Sequence, residues 1–473
     1  MHERAHLKGL FQFFLIFFLL ILFVYFSARY IAQGDVRIPF FFLFSFIAAA
    51  IATSIKWGTY FIFTYIVFMA FIKRLLFKFA GYVSYDPLYI VPDIVILIMF
   101  LVVWNKYKKR IREAWEKSFA FKVLLFLQLI FFLQIFNPLQ GNLIVGIVGS
   151  KFLLIPSLWA YISFGIDRKI LKTLLKILTW LGVIASLYAI YQFHKGFPDF
   201  EILWAENSGM TSLVIGGKLR PFSFFPSPGE LSGYLSTNGL IEIALSGVSF
   251  GLIITIFKLL IYGLASFYTN VRAGPFVFLL LFPFLLVLKS TKRALPTLLT
   301  YYFILFGILA FISNTSLADI KIKGEGYERE YMEHFLQAFV DPTAKGSSFV
   351  HRLKIWREAI FDMLKNPVGY GIGVSTLAAN KFGGRPMHAE SSFISMIYSC
   401  GIFGFLSIIF LTLYTLIKGL ISLPYKGDKV LLAVWIGYTS IVMGQWIVTY
   451  FQGAFYWLSI GILLRWIDLK EEI

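Results

Sequence analysis

Four short stretches of this chain carry side chains suited to holding an anion and moving a proton. Arg220 opens the run RPFSFFPSPGE, in which prolines stiffen the backbone on the way to Glu230. Arg272 stands in NVRAGPF, at the mouth of an apolar run. Arg352 follows His351 in HRLKIWREAIFDMLKNPVGYGIGVS, and His388 and Glu390 begin HAESSFISMIYSCGIFGF. A guanidinium offers a rigid fork of donors that fits phosphate or carboxylate. Imidazole accepts a proton near neutral pH, and a carboxylate does so when its surroundings raise its pKa. Each residue also has a plain structural reading, as a loop-ending or snorkelling arginine or a loop histidine, so the case rests on their being found together.

The elements that must position them are almost entirely apolar. Of 473 residues, 59% are hydrophobic and only 14% charged, against about 25% charged in soluble domains. The expected fold is therefore an all-α polytopic integral membrane protein. Apolar runs at 10–32, 38–54, 57–72, 88–104, 119–136, 143–164, 170–193, 231–246, 249–268, 273–288, 294–313, 392–417, 430–451 and 454–467 give about 12–14 transmembrane helices. The first is read as an uncleaved span, being longer than a signal-peptide core and lacking a small-residue cleavage site. The whole chain, 1–473, is read as one membrane domain.

The formal charge of +18 suggests lipid and topology rather than nucleic acid, because the basic residues lie in short clusters between spans. Counting Lys and Arg places 106–117, 167–172, 289–293 and 418–429 on the cytoplasmic side together with both termini. The long loops 194–230 and 314–391 then face outward, the second carrying amphipathic helices and the expected active site. One cluster, Lys73, Arg74 and Lys78, lands outside against the rule. It marks an error of register in the count, an amphipathic interfacial segment or, more sharply, a contact of Lys73 and Arg74 with a lipid headgroup or diphosphate.

Within 351–373, the spacing of Arg352, Trp356, Ile360 and Met363 predicts an amphipathic helix ending at Pro367. Gly369, Gly371 and Gly373 permit tight turns, whose N–H groups are suited to cradling an anion. The single cysteine, Cys400, lies in an apolar run and is expected to be a buried structural thiol. Phosphate-binding P-loop and Asp-x-Asp signatures are absent from the sequence.

In their order and topology, the Arg220, Arg272, His351-Arg352, Gly369 and His388 stretches resemble the O-antigen ligase and O-antigen (exopolysaccharide) polymerase superfamily. The resemblance covers about 220–404. It implies an inverting, metal-independent transfer of a glycan from a polyprenyl-diphosphate carrier to an acceptor sugar hydroxyl, at the outer face of a bacterial or archaeal cytoplasmic membrane. It further implies that Arg272, Arg352 and then Arg220 hold the diphosphate, that no cofactor is used, and that the partners are the lipid-linked donor, a glycan or glycolipid acceptor, membrane lipid and other polysaccharide-assembly proteins.

Counting back from Gly401, the position usually held by histidine in the ligases falls on Glu390, followed by Ser391, while His388 stands two residues earlier. Either His388 acts from a shifted position or Glu390 has taken the role. An acidic residue here resembles the chain-extending polymerase branch, which is favoured over an O-antigen ligase that transfers glycan to lipid A core. A lipid-linked oligosaccharide flippase or transporter is the alternative of another class. It would be expected to show inverted repeats and polar groups at mid-membrane, and neither is evident in the sequence.

Overall fold

The computed structural model describes residues 37–81, 87–208, 210–215, 217–246, 250–289, 296, 299–305, 307, 348–422 and 427–471. The span expected at 10–32, most of that at 294–313, and the part of the second long loop before 348 lie outside them.

The described chain is all-α apart from one two-residue hairpin. Its longer helices are α1 (Arg37–Ala52), α2 (Ile55–Ala80), α3 (Val91–Lys117), α4 (Phe119–Gln134), α5 (Leu143–Ser150), α6 (Leu154–Ser157), α7 (Trp159–Ile162), α8 (Arg168–Lys195), α9 (Asp199–Ser208), α10 (Pro228–Leu245), α11 (Phe250–Tyr268), α12 (Ala273–Lys289), α13 (Ser348–Lys365), α14 (Leu377–Lys381), α15 (Ser392–Ser422), α16 (Lys429–Gly444) and α17 (Tyr450–Asp468). Strands Val214–Ile215 and Lys218–Leu219 pair antiparallel between α9 and α10. Six apolar segments among the described residues are long enough to cross a bilayer: Ile55–Phe79, Pro87–Lys117, Leu143–Gly165, Arg168–Lys195, Gly251–Tyr268 and Ser392–Ser422. Shorter apolar helices at Arg37–Ala52, Phe119–Gln134, Ala273–Pro283 and Lys429–Gly444 accompany them. The protein is an all-α polytopic membrane protein.

Helix ends follow local chemistry. Asp167 accepts from the Ile170 N–H at 2.8 Å to start α8, and Ser227 accepts from the Glu230 N–H at 3.2 Å to start α10, with Pro228 in the first turn. Asp428 caps α16 through the Val430 and Leu431 N–H groups. At the centre stands α17, whose residues 451–466 are all buried. A helix enclosed on every side is apolar all round, and its few polar members, such as Gln452 and Ser459, are fully covered.

The apolar run at 143–164, expected as one span, is instead broken into α5, α6, α7 and a terminal 3-10 turn (Ser163–Gly165). Pro156 lacks a donor, and Lys151 at the first break turns its ammonium to the Tyr89 carbonyl at 2.8 Å and to Asp93 at 3.6 Å. Non-helical backbone at such depth is tolerated where protein surrounds it.

The loops that the charge count groups together do meet. Arg110 pairs with Glu471 at 2.7 Å, Arg168 with Asp428, and Ser118 with Asp468. One end of the bundle is thus fastened by contacts of the 106–118 stretch with C-terminal Asp468 and Glu471, and of the 167–172 connection with Asp428.

Candidate functional site

At the other end, three separate stretches converge. The turn between α11 and α12 carries Arg272; α13 carries His351 and Arg352; and the segment entering α15 carries His388 and Glu390. Arg352 Nε lies 3.4 Å from Glu390 Oε2. His351 Nε2 and His388 Nε2 lie 3.4 and 3.5 Å from the other oxygen, Oε1. Arg272 is half-buried, and its guanidinium pKa is lowered, first by burial and then by the neighbouring charge of Arg352. Two neighbouring guanidiniums form a place where an anion is welcome.

The turn bearing Arg272 is held by Arg220. Its Nε donates to the Thr269 carbonyl at 2.8 Å, Nη2 to the Asn270 carbonyl at 3.0 Å and Nη1 to Ser212 at 3.1 Å. Thr269 and Asn270 are buried, at 0% and 1% exposure, and Asn270 takes a left-handed φ of 51°. The sequence suggests Arg220 as a third diphosphate ligand; the structure directs its donors onto the backbone that presents Arg272. Directly after that turn, α12 presses against α10. A Cβ on Gly274 would come within 2.2 Å of Ser232 Oγ, so glycine permits the contact.

Helix α13 packs on α15 through Ile355, Ala359, Ile394, Ile397 and Tyr398, with Trp356 and Met363 alongside. Ile360, expected on the inner stripe, is 43% exposed, because the buried face runs through Ile355 and Ala359 instead. This turn of the helix leaves His351 and Arg352 directed toward Glu390.

The glycine run after α13 fastens the site rather than forming a free anion cradle. Tyr370 N–H donates to the Tyr398 carbonyl at 2.7 Å, Ile372 N–H to Gln134 at 3.3 Å and Gly369 N–H to Asn366 at 3.1 Å. Gly369 lies against Gly401, where α15 breaks with φ 60° and ψ −156°. A Cβ on Gly401 would meet the Pro367 carbonyl at 2.1 Å, and Ile402 N–H donates to that same carbonyl at 2.9 Å. Arg385 N–H donates to Gln140 at 3.0 Å and Met387 N–H to Val374 at 2.8 Å, which ties down the approach to His388. Ser391 Oγ then accepts from the Ile394 N–H to start α15, and Ser392 is joined to Gln445 at 2.7 Å. Cys400 is buried at this break.

Arg74 lies elsewhere and is fully enclosed. It pairs with Glu201 at 3.1 Å and donates to the Phe225 carbonyl at 2.7 Å and to Ser223, among the rings of Phe222, Trp204 and Phe71. Gln192 and Tyr188 also donate to Glu201, at 2.8 and 3.2 Å. Burial raises the Glu201 carboxyl above its ordinary range, with Arg74 opposing. Arg74 therefore anchors the proline-rich 220–227 stretch, and its break with the charge rule has a structural cause. Lys73 lies 4.8 Å over the Tyr89 ring; neither residue joins the Glu390 group.

His351 is the member of the group that sequence reasoning did not single out. Its adjacency to Arg352 was the available signal, but helical phase alone does not say that both side chains reach one carboxylate.

No curated protein matches the chain. Residues 257–409, which include Arg272, Arg352, His388 and Glu390, match the family model Wzy_C, described as O-Antigen ligase. That match, over about a third of the chain, supports a likeness to the O-antigen ligase/polymerase superfamily.

Proposed function

We propose that this protein transfers an oligosaccharide or glycan from a polyprenyl-diphosphate carrier to an acceptor sugar hydroxyl, extending a polysaccharide one repeat at a time. The observation that carries the reading is the convergence of Arg272, Arg352, His388 and Glu390 from three stretches of chain onto one end of the bundle. The acceptor oxygen attacks the anomeric carbon as the bond to the diphosphate breaks, so configuration inverts and the electron pair leaves with the diphosphate. Arg272 and Arg352 hold the departing charge. Glu390 receives the hydroxyl proton, with His388 beside it on Oε1. Because the carrier diphosphate is already a good leaving group, positioning and charge stabilisation suffice, and the reaction needs no metal.

The polymerase reading rests on the carboxylate at position 390. The site is read as extracytoplasmic, with both termini cytoplasmic, from the lysine and arginine count of the loops. Glycan length in a deletion strain is the test. Single repeat units on the acceptor support polymerisation; long chains accumulating on the lipid carrier favour a ligase that transfers finished glycan to lipid A core. Unchanged glycan in that strain would defeat both.

A further inference from the structure

Both imidazoles approach the same oxygen of Glu390, at distances that do not suit hydrogen bonds. His351 Nε2 and His388 Nε2 stand 3.4 and 3.5 Å from Oε1, beyond the usual 2.7–3.2 Å for N–H···O, which peaks near about 2.9 Å. They do match another geometry. A tetrahedral zinc ion with ligands at about 2.0–2.1 Å separates those ligands from one another by about 3.3–3.4 Å. The ligand atoms of His351, His388 and Glu390 all lie within 4.8 Å of one another, so the third edge closes by a small rotation of an exposed histidine ring.

The electrostatics divide the carboxylate in the same way. Arg352 faces Oε2 and leaves Oε1 to the histidines, as an outer partner does when it aims a ligating carboxylate. Arg272 and Arg352 bring positive charge to the neighbourhood, but Arg352, His351 and His388 are each more than half exposed, where solvent screens that repulsion. Three protein ligands leave a fourth position open to water or a phosphate oxygen. Two imidazoles and one carboxylate suit zinc and its neighbours better than magnesium or calcium.

We propose that His351, His388 and Glu390 form a binding site for a transition-metal dication such as Zn²⁺. The site shares Glu390 and His388 with the transfer chemistry, and the cation takes no part in transfer itself. Its consequence for transfer rests on the function proposed above: a bound cation takes the Glu390 oxygen that would receive the proton, so metal occupancy and transfer exclude each other.

The test uses the full chain purified in detergent without a polyhistidine tag, titrated with Zn²⁺ by calorimetry and with Co²⁺ by visible absorption. Stoichiometric Zn²⁺ binding is expected, with the intense visible bands of four-coordinate Co²⁺. His351→Ala and His388→Ala should each weaken it by more than about 10-fold. His194→Ala, which removes an imidazole bonded to Tyr268, should leave it unchanged. Absence of stoichiometric binding, or binding that survives the double histidine variant, overturns the site. Saturating Zn²⁺ should also slow glycan transfer by about 100-fold or more, the lower range of a general base's contribution. Zinc that binds as expected while transfer continues at full rate leaves the metal site standing and removes Glu390 from the transfer mechanism.

Discussion

Replacing Arg220 by alanine separates an arginine that touches substrate from one that shapes the turn carrying Arg272. The bonds at stake are those to the Thr269 carbonyl at 2.8 Å and the Asn270 carbonyl at 3.0 Å, on residues with 0% and 1% exposure. A hydrogen bond from a charged donor contributes about 1.5–3 kcal/mol, so losing both costs about 3–6 kcal/mol at most. The third bond, to Ser212, is exposed, and water replaces it. The left-handed Asn270 is then free to relax, and Arg272 moves with it. Two measurements decide: the unfolding midpoint in detergent, and polymer formation by Arg220→Ala, Arg272→Ala and the double variant. If Arg220 works only through the turn, its variant is less stable and the double variant loses no more transfer than Arg272→Ala. Losses that add, or an Arg220→Ala protein with full stability, refute this reasoning.

Gly401→Ala combines a backbone region costing about 1–3 kcal/mol for a side-chain-bearing residue with a Cβ placed 2.1 Å from the Pro367 carbonyl, so a clear drop in unfolding midpoint is expected; an unchanged midpoint would mean that α15 does not break there. Arg74→Ala leaves Glu201 buried without its cation, a loss of about 3–5 kcal/mol, whereas a paired Arg74→Met/Glu201→Leu variant should recover much of it. Wild-type stability for Arg74→Ala would remove the anchoring role. Glu390→Gln should lower transfer by about 10²–10⁴-fold if Glu390 is the proton acceptor, with His388→Ala milder; the reverse order would assign proton transfer to His388.

How much of this could be read from the sequence depended on whether a feature was local. The starts of α4 at Phe119, α12 at Ala273 and α15 at Ser392 coincide with expected span starts, because apolar runs and capping residues are encoded within a few positions. Arg352, His388 and Glu390 were legible as a polar group in an apolar chain, and the structure brings them together. The uses of Arg220 and Arg74 were not legible, since each is decided by carbonyls or a carboxylate far along the chain: Arg220 by Asn270, Arg74 by Glu201 and Phe225. The glycines of 369–373 misled for a related reason. Glycine signals that backbone must pass close to something, but the sequence does not say that the neighbour is Gly401 rather than an anion. Similarly, the run at 143–164 reads as a smooth span, and only Asp93, lying in another helix, explains why Lys151 interrupts it.

The central claim is that Arg272, Arg352 and Glu390 form one site for lipid-diphosphate glycan transfer. The most direct measurement is single-turnover transfer by purified protein in lipid nanodiscs, using a polyprenyl-diphosphate oligosaccharide and a sugar acceptor, for wild type and for Arg272→Ala, Arg352→Ala and Glu390→Gln. Each variant is expected to remain folded and to lose transfer by about 100-fold or more, the arginine variants also binding the donor more weakly. Transfer at the wild-type rate by Arg352→Ala and Glu390→Gln would contradict that claim.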